Sequence, residues 1–146
     1  MNRLNGLLFM LVIVGSVFFT SCKKEERIEK NLWSKGGEWK VKTLEVDQTS
    51  SVVEDNYSES IGDIGTFSFK KDGTGSYIFT LDGDSEAGTF TYSNTEDKLT
   101  FIYDNEPRVF RIVDWERNSL KISITEDYDY NGVSTTYNET MTLEKN

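Results

Sequence analysis

The sequence predicts an all-β fold in which eight antiparallel strands follow one another as a meander and close into an up-and-down barrel. Three observations carry that expectation. From Trp33 onward, short runs alternate apolar and polar residues, so that pairs such as Phe67/Phe69, Phe90/Tyr92 and Leu120/Ile122/Ile124 fall on one face of a strand. Turn signals interrupt these runs about every 8–12 residues, the spacing of sandwiches and barrels rather than of helical bundles. Nothing between Glu38 and Asn146 carries the period of a long amphipathic helix.

Taken in order, the chain starts with a segment unlike the rest. Arg3 precedes an almost unbroken apolar stretch from Gly6 to Phe19, which ends in small polar residues. A positive start, an apolar run of about 7–15 residues and small residues before a cut form a secretory signal. The run is short for a membrane span, which needs about 20 apolar residues. The chain's one cysteine, Cys22, follows directly, and then the charge run Lys23–Lys30. Residues 22–31 read as a charged tether, and Arg27–Trp33 has room for a turn or two of helix.

Eight strand candidates follow: Trp39–Asp47, Gly65–Lys70, Gly75–Leu81, Gly88–Ser93, Lys98–Asp104, Arg108–Trp115, Ser119–Glu126 and Thr135–Glu144. Asp72-Gly73, Asp82-Gly83 and Asn131-Gly132 supply the positive φ that tight hairpins need. Pro107, the only proline, opens a strand, where a missing N–H costs little. Short links between all neighbours favour a meander whose closure removes both edges. A two-sheet sandwich is the alternative. The acidic, serine-rich connection Gln48–Asp63 reads as a lid or an extra edge strand.

Two resemblances add to this reading. Phe19-Thr20-Ser21-Cys22 resembles the lipobox of bacterial lipoproteins, with Phe19 where leucine is usual. The resemblance implies cleavage before Cys22, a lipid thioether on its sulfur, palmitate or a similar acyl chain on its amine, and an outer-membrane location. Two or more chains anchor stably where one does so only marginally. Lys23-Lys24-Glu25-Glu26 resembles the signal that sends lipoproteins to the cell surface in one large group of Gram-negative bacteria. The expected division is therefore a signal peptide over 1–21, the tether over 22–31, and one domain over 32–146.

Within that domain, Gly37-Glu38-Trp39 resembles the Gly-x-Trp that opens lipocalins, whose tryptophan packs across the closed end of the barrel. Phe67-Ser68-Phe69 with Asp72-Gly73-Thr74-Gly75 resembles the F-x-F-x-x-D-G-x-G hairpin of bacterial lipocalin-like domains. Gly88-Thr89-Phe90 follows where G-x-W is commoner. The resemblance implies a barrel with room for an apolar cavity, which Trp39, Phe67, Phe69, Phe90 and Phe101 would line.

Composition narrows function further. The chain has 16 basic and 25 acidic side chains, and only Arg3 of these lies in the leader, so a mature chain would carry −10. That balance argues against nucleic acid, whose phosphates require a basic footprint. The chain has no histidine and its single cysteine is the expected lipid carrier, which removes the usual nucleophile–base pairs. No enzyme activity and no cofactor are expected. Asp127-Tyr128-Asp129-Tyr130-Asn131-Gly132 fits the first half of a calcium loop, but position twelve is Asn138, which cannot close it as a bidentate carboxylate would. It reads as a hairpin tip, and no metal site is expected. The tyrosines Tyr57, Tyr77, Tyr103, Tyr128, Tyr130 and Tyr137 would serve core packing or, if exposed, stacking on sugars. The expectation is a monomeric, membrane-anchored binder of a small apolar ligand. The alternative is a surface accessory protein that meets glycan or protein partners through loops and exposed aromatics.

Overall fold

The computed structural model describes residues 24–146. The expected signal peptide and Cys22 lie outside the described residues. Helix α1 spans residues 24–33, and a 3-10 turn over Ser34–Gly36 leads into the sheet. The strands are β1 Glu38–Ser50, β2 Tyr57–Phe69, β3 Thr74–Leu81, β4 Asp84–Asn94, β5 Lys98–Tyr103, β6 Glu106–Trp115, β7 Ser119–Tyr130 and β8 Val133–Lys145. Each pairs antiparallel with the next, and β8 pairs with β1 from Trp39↔Lys145 to Ser50↔Thr135. That last ladder closes the barrel and decides against the sandwich.

All eight expected strands are present and several run further than alternation suggests: β4 begins at Asp84 and β6 at Glu106, and four others lengthen at the open end. β1 reaches Ser50, β2 begins at Tyr57, β7 reaches Tyr130 and β8 begins at Val133. These extensions pair with one another and rise beyond the shorter β3–β6 as a wall on one side. Neither face of the wall is covered, so its residues need not alternate in polarity. The connection Gln48–Asp63, expected as a lid or an extra edge strand, is therefore mostly strand, as continuations of β1 and β2. Only residues 51–56 form a loop, tied by the Asn56 Oδ1 that accepts from the Ser50 N–H at 2.7 Å.

The charged run is the second departure. Residues 24–31, read as a charged tether with a turn or two of helix over Arg27–Trp33, are helical throughout, and α1 turns Ile28 and Leu32 into the core at 2% exposure each. Their i,i+4 spacing puts both on one helix face. Short helices are marginal alone, so packing holds the described turns of α1. The helix lies across one end of the barrel, with contacts at both of its own ends. The Asn94 amide donates to the Glu25 carbonyl at 3.2 Å, and Asn31 donates to the Glu116 carbonyl at 3.0 Å. Arg27 sits over the Trp115 ring and Lys71 over the Trp33 ring. Trp39, fully buried beneath, donates its indole N–H to the Leu32 carbonyl at 2.9 Å.

Above this seal the lower barrel is filled with rings. Phe67 stacks on Phe101 at 5.4 Å, Phe90 meets Phe101 edge-on at 5.2 Å, and Phe69 meets Tyr92 edge-on at 5.0 Å. Glycines opposite these rings make the room. A Cβ on Gly75 would stand 2.3 Å from the Phe90 ring, and one on Gly88 would stand 2.7 Å from Tyr77. Tyr92 donates to the Lys70 carbonyl at 2.6 Å, and burial pushes its phenol up to about 12.

Candidate functional site

The opposite end of the barrel is open. A cavity of about 680 Å³ enters there, bounded by β1–β4 on one side and β5, β6 and β8 on the other. Register explains which side chains reach it. A bulge between Val41 and Thr43 shifts the phase of β1, so Trp39 and Val41 point in below it and Leu44 above it. Leu44 and Met141 are register partners, and Met141 is in turn partnered by Ile122. Leu44, Ile64, Phe67, Phe79, Phe110 and Met141 make the apolar part of the lining. Tyr77 and Tyr103, edge-on to each other at 5.7 Å, make an aromatic wall.

Of the five residues expected to line a cavity, Phe67 alone does so. Trp39, Phe69, Phe90 and Phe101 are buried below it and pack on one another as the filled floor. They occupy the rows nearest α1, where opposing rings meet and no space remains. The barrel interior is thus filled in one half and hollow in the other, which its width permits.

One ion pair interrupts the apolar lining. Arg108 Nη2 donates to Glu139 Oε2 at 3.1 Å, and the Tyr137 hydroxyl donates to the same oxygen at 3.2 Å. Arg108 also lies over the Phe110 ring at 5.3 Å. Burial works against the charge on Arg108, but Glu139, by charge and hydrogen bond, together with Glu126 and Tyr137, more than offsets it and holds the guanidinium above its ordinary value. Burial also raises the phenols of Tyr103 and Tyr137, and the hydrogen bond to Glu86 raises that of Tyr77. These phenols remain protonated donors at neutral pH. At the rim, the β3–β4 hairpin adds Asp82, Asp84 and Glu86 to the lining.

Neither partner of the ion pair was singled out in the sequence, although a signal exists. Arg108 is in phase with Phe110 and Ile112, and Glu139 with Met141 and Leu143. An ionisable residue in step with a buried face is the mark of a charge inside the barrel.

The remaining sequence features find plain roles. Asn131-Gly132 turns the β7–β8 hairpin with positive φ at both residues. Asp127 accepts from the Thr136 hydroxyl at 2.7 Å and Asp129 from that of Ser134 at 3.2 Å. No group of three or more metal-ligating side chains occurs among the described residues. Tyr77 and Tyr103 pack against the core, whereas Tyr57, Tyr128 and Tyr130 are exposed on the wall. By register they share the inner face with Tyr137. The outer face instead carries a ladder of cross-strand bonds, such as Ser58 to Asp47 at 2.6 Å and Thr125 to Asn138 at 2.7 Å.

No family model matches the chain, and no curated protein matches it. Among solved structures it is similar to a deswapped triple mutant of bovine odorant binding protein, at 19% identity and a TM-score of 0.37. That match covers 73% of this chain and 71% of the other. A redesigned β barrel aligns at 19% identity and a TM-score of 0.32, over 73% of this chain and 90% of the design. Neither likeness bears on function, and the closed eight-stranded barrel stands on the strand pairing of this chain.

Proposed function

We propose that this protein is a lipid-anchored, non-enzymatic binder that holds one small, largely apolar molecule in the open half of its barrel. The observation that carries the reading is the cavity of about 680 Å³ above a floor already filled by the chain's own rings. Its volume falls in the range of small-molecule sites, and its few polar groups are clustered, as orientation of a ligand requires. Native mass spectrometry of the purified full chain tests this. A bound small molecule is expected on the wild type and at clearly lower occupancy on a Met141→Trp variant, whose larger ring intrudes on the cavity. Equal occupancy of both, or of neither, contradicts the reading.

The anchor is the lipid expected on Cys22, at the outer membrane and on its cell-surface side. At most about 7 Å of extended chain separates Cys22 from Lys24, the first described residue of α1. A lipid there would hold the helix-covered end against the bilayer and turn the cavity away from it. Cys22→Ser should abolish acyl labelling and release the protein from membranes. A lipid-borne quencher should dim a fluorophore on Lys71→Cys and spare one on Asp104→Cys. Protease digestion of intact cells reads the surface claim, which protection of the protein would contradict.

A second reading rests on the wall. Tyr128 and Tyr130 are 53% and 78% exposed on its inner face, which Tyr57 shares three strands away, and exposed rings suit stacking on a glycan. Loss of glycan binding in Tyr128→Ala/Tyr130→Ala, with cavity binding retained, would favour it.

A further inference from the structure

Charge divides this barrel more sharply than its composition suggests. The residues toward the open end (44–62, 78–87, 102–109 and 124–140) hold fourteen carboxylates and one basic side chain, Arg108. The residues toward α1 (24–43, 63–77, 88–101, 110–123 and 141–146) hold eleven carboxylates and thirteen basic side chains. Within the cavity lining, Asp82, Asp84, Glu86 and Glu139 face Arg108 as the single cation. Glu139 already neutralises that cation, and Glu126 adds a further negative field at it. Both protein hydrogen bonds of Glu139 fall on Oε2. Its Oε1 accepts no hydrogen bond from the described residues, and the residue lines the cavity.

We propose that the cavity selects organic cations, meaning molecules with a protonated amine or a quaternary ammonium on an apolar or aromatic body. This rests on the reading of the open half as a ligand site and names the ligand class. A positive group seated there meets three rim carboxylates and the unused oxygen of Glu139. Tyr77, Tyr103 and Phe79 also line the cavity, and aromatic rings beside a bound group favour cations over neutral groups. An anionic ligand meets only Arg108, whose charge is already matched. A bare metal ion needs oxygens converging on one point, which the spread of Asp82, Asp84 and Glu86 along a hairpin does not supply. The acidic mouth also draws cations in by long-range attraction.

Three naphthalene probes of one size and different charge test the idea: 1-naphthylmethylamine, 1-naphthalenemethanol and 1-naphthoate. Each is titrated into the detergent-solubilised full chain, with detergent alone as the blank. The amine should bind about tenfold tighter than the alcohol, and the acid more weakly than either. Added salt should weaken the amine alone. In the exposed rim variant Asp82→Asn/Asp84→Asn/Glu86→Gln, the amine-to-alcohol affinity ratio should fall toward one. Equal binding of amine and alcohol to the wild type overturns the cation selectivity and leaves the apolar cavity standing. Tightest binding by the naphthoate, or a ratio unchanged in the rim variant, also overturns the selectivity. Binding of none of the three overturns both readings.

Discussion

The two ends of this barrel are made from the same strands and solve opposite problems. At the α1 end every row is filled: Trp39 lies under Leu32, Phe67, Phe69, Phe90 and Phe101 pack ring on ring, and glycines opposite the rings keep the fit close. At the mouth the same inward phase delivers Leu44, Met141, Tyr103 and Arg108 to a space they do not fill. Stability is concentrated where the rings are, and the hollow end is left to bind. A closed barrel can separate these tasks because each row of side chains packs largely with its own layer.

The largest effects should come from the filled end. Phe101→Ala, at a fully buried ring touching Phe67, Phe90 and Phe110, should cost about 3–5 kcal/mol in urea unfolding. A loss near 1 kcal/mol would mean that this layer is not the stabilising one. Leu32→Ala should cost about 2–5 kcal/mol and speed amide exchange in α1, since Leu32 and Ile28 are the two side chains that the described helix buries. Gly75→Ala should cost about 1–3 kcal/mol, because its methyl meets the Phe90 ring and the Ser68 carbonyl.

The mouth should tolerate more. Glu139→Gln should cost about 1–2 kcal/mol, less than a fully buried pair would, because the Arg108 side chain is 39% exposed and water takes over part of its solvation. The smallest effect is expected at Asp63, whose contact with Lys40 at 2.9 Å lowers its pKa from 3.8. A carboxylate with a depressed folded pKa contributes stability above its unfolded value and loses it as pH falls through the folded one. Asp63→Asn should therefore be slightly destabilising at neutral pH and indistinguishable from wild type in strong acid. A difference that persists in acid would place the effect elsewhere.

How much of this could be read from the residues followed from burial. Strand cores such as Leu99–Phe101 and Leu120–Ile124 alternate because one face is buried, and they were legible. Tyr57–Gly62 and Asp127–Tyr130 are strand without a buried face, so only pairing with neighbours reveals them. In Lys24–Lys30 the charges outnumber one isoleucine, and the importance of Ile28 depends on a barrel end that needs covering. The β1 bulge is visible in hindsight: Trp39 and Val41 keep a period of two, and Leu44 breaks it by one residue. The aromatic residues of the core were legible by type, but which of them face a void depends on row. That is why Phe67 alone of the five borders the cavity. The Arg108–Glu139 pair joins residues 31 apart in sequence through inward phase on two strands that are not neighbours in the barrel.

The contrast between a filled and a hollow end is tested most directly by methyl NMR of the full chain titrated with 1-naphthalenemethanol, the neutral probe. Perturbations should concentrate on Leu44, Ile64 and Met141 and leave Leu32, Leu120 and Leu143 unmoved. Shifts that concentrate on Leu32, Leu120 and Leu143, or saturable binding without any change at Leu44, Ile64 and Met141, would contradict it.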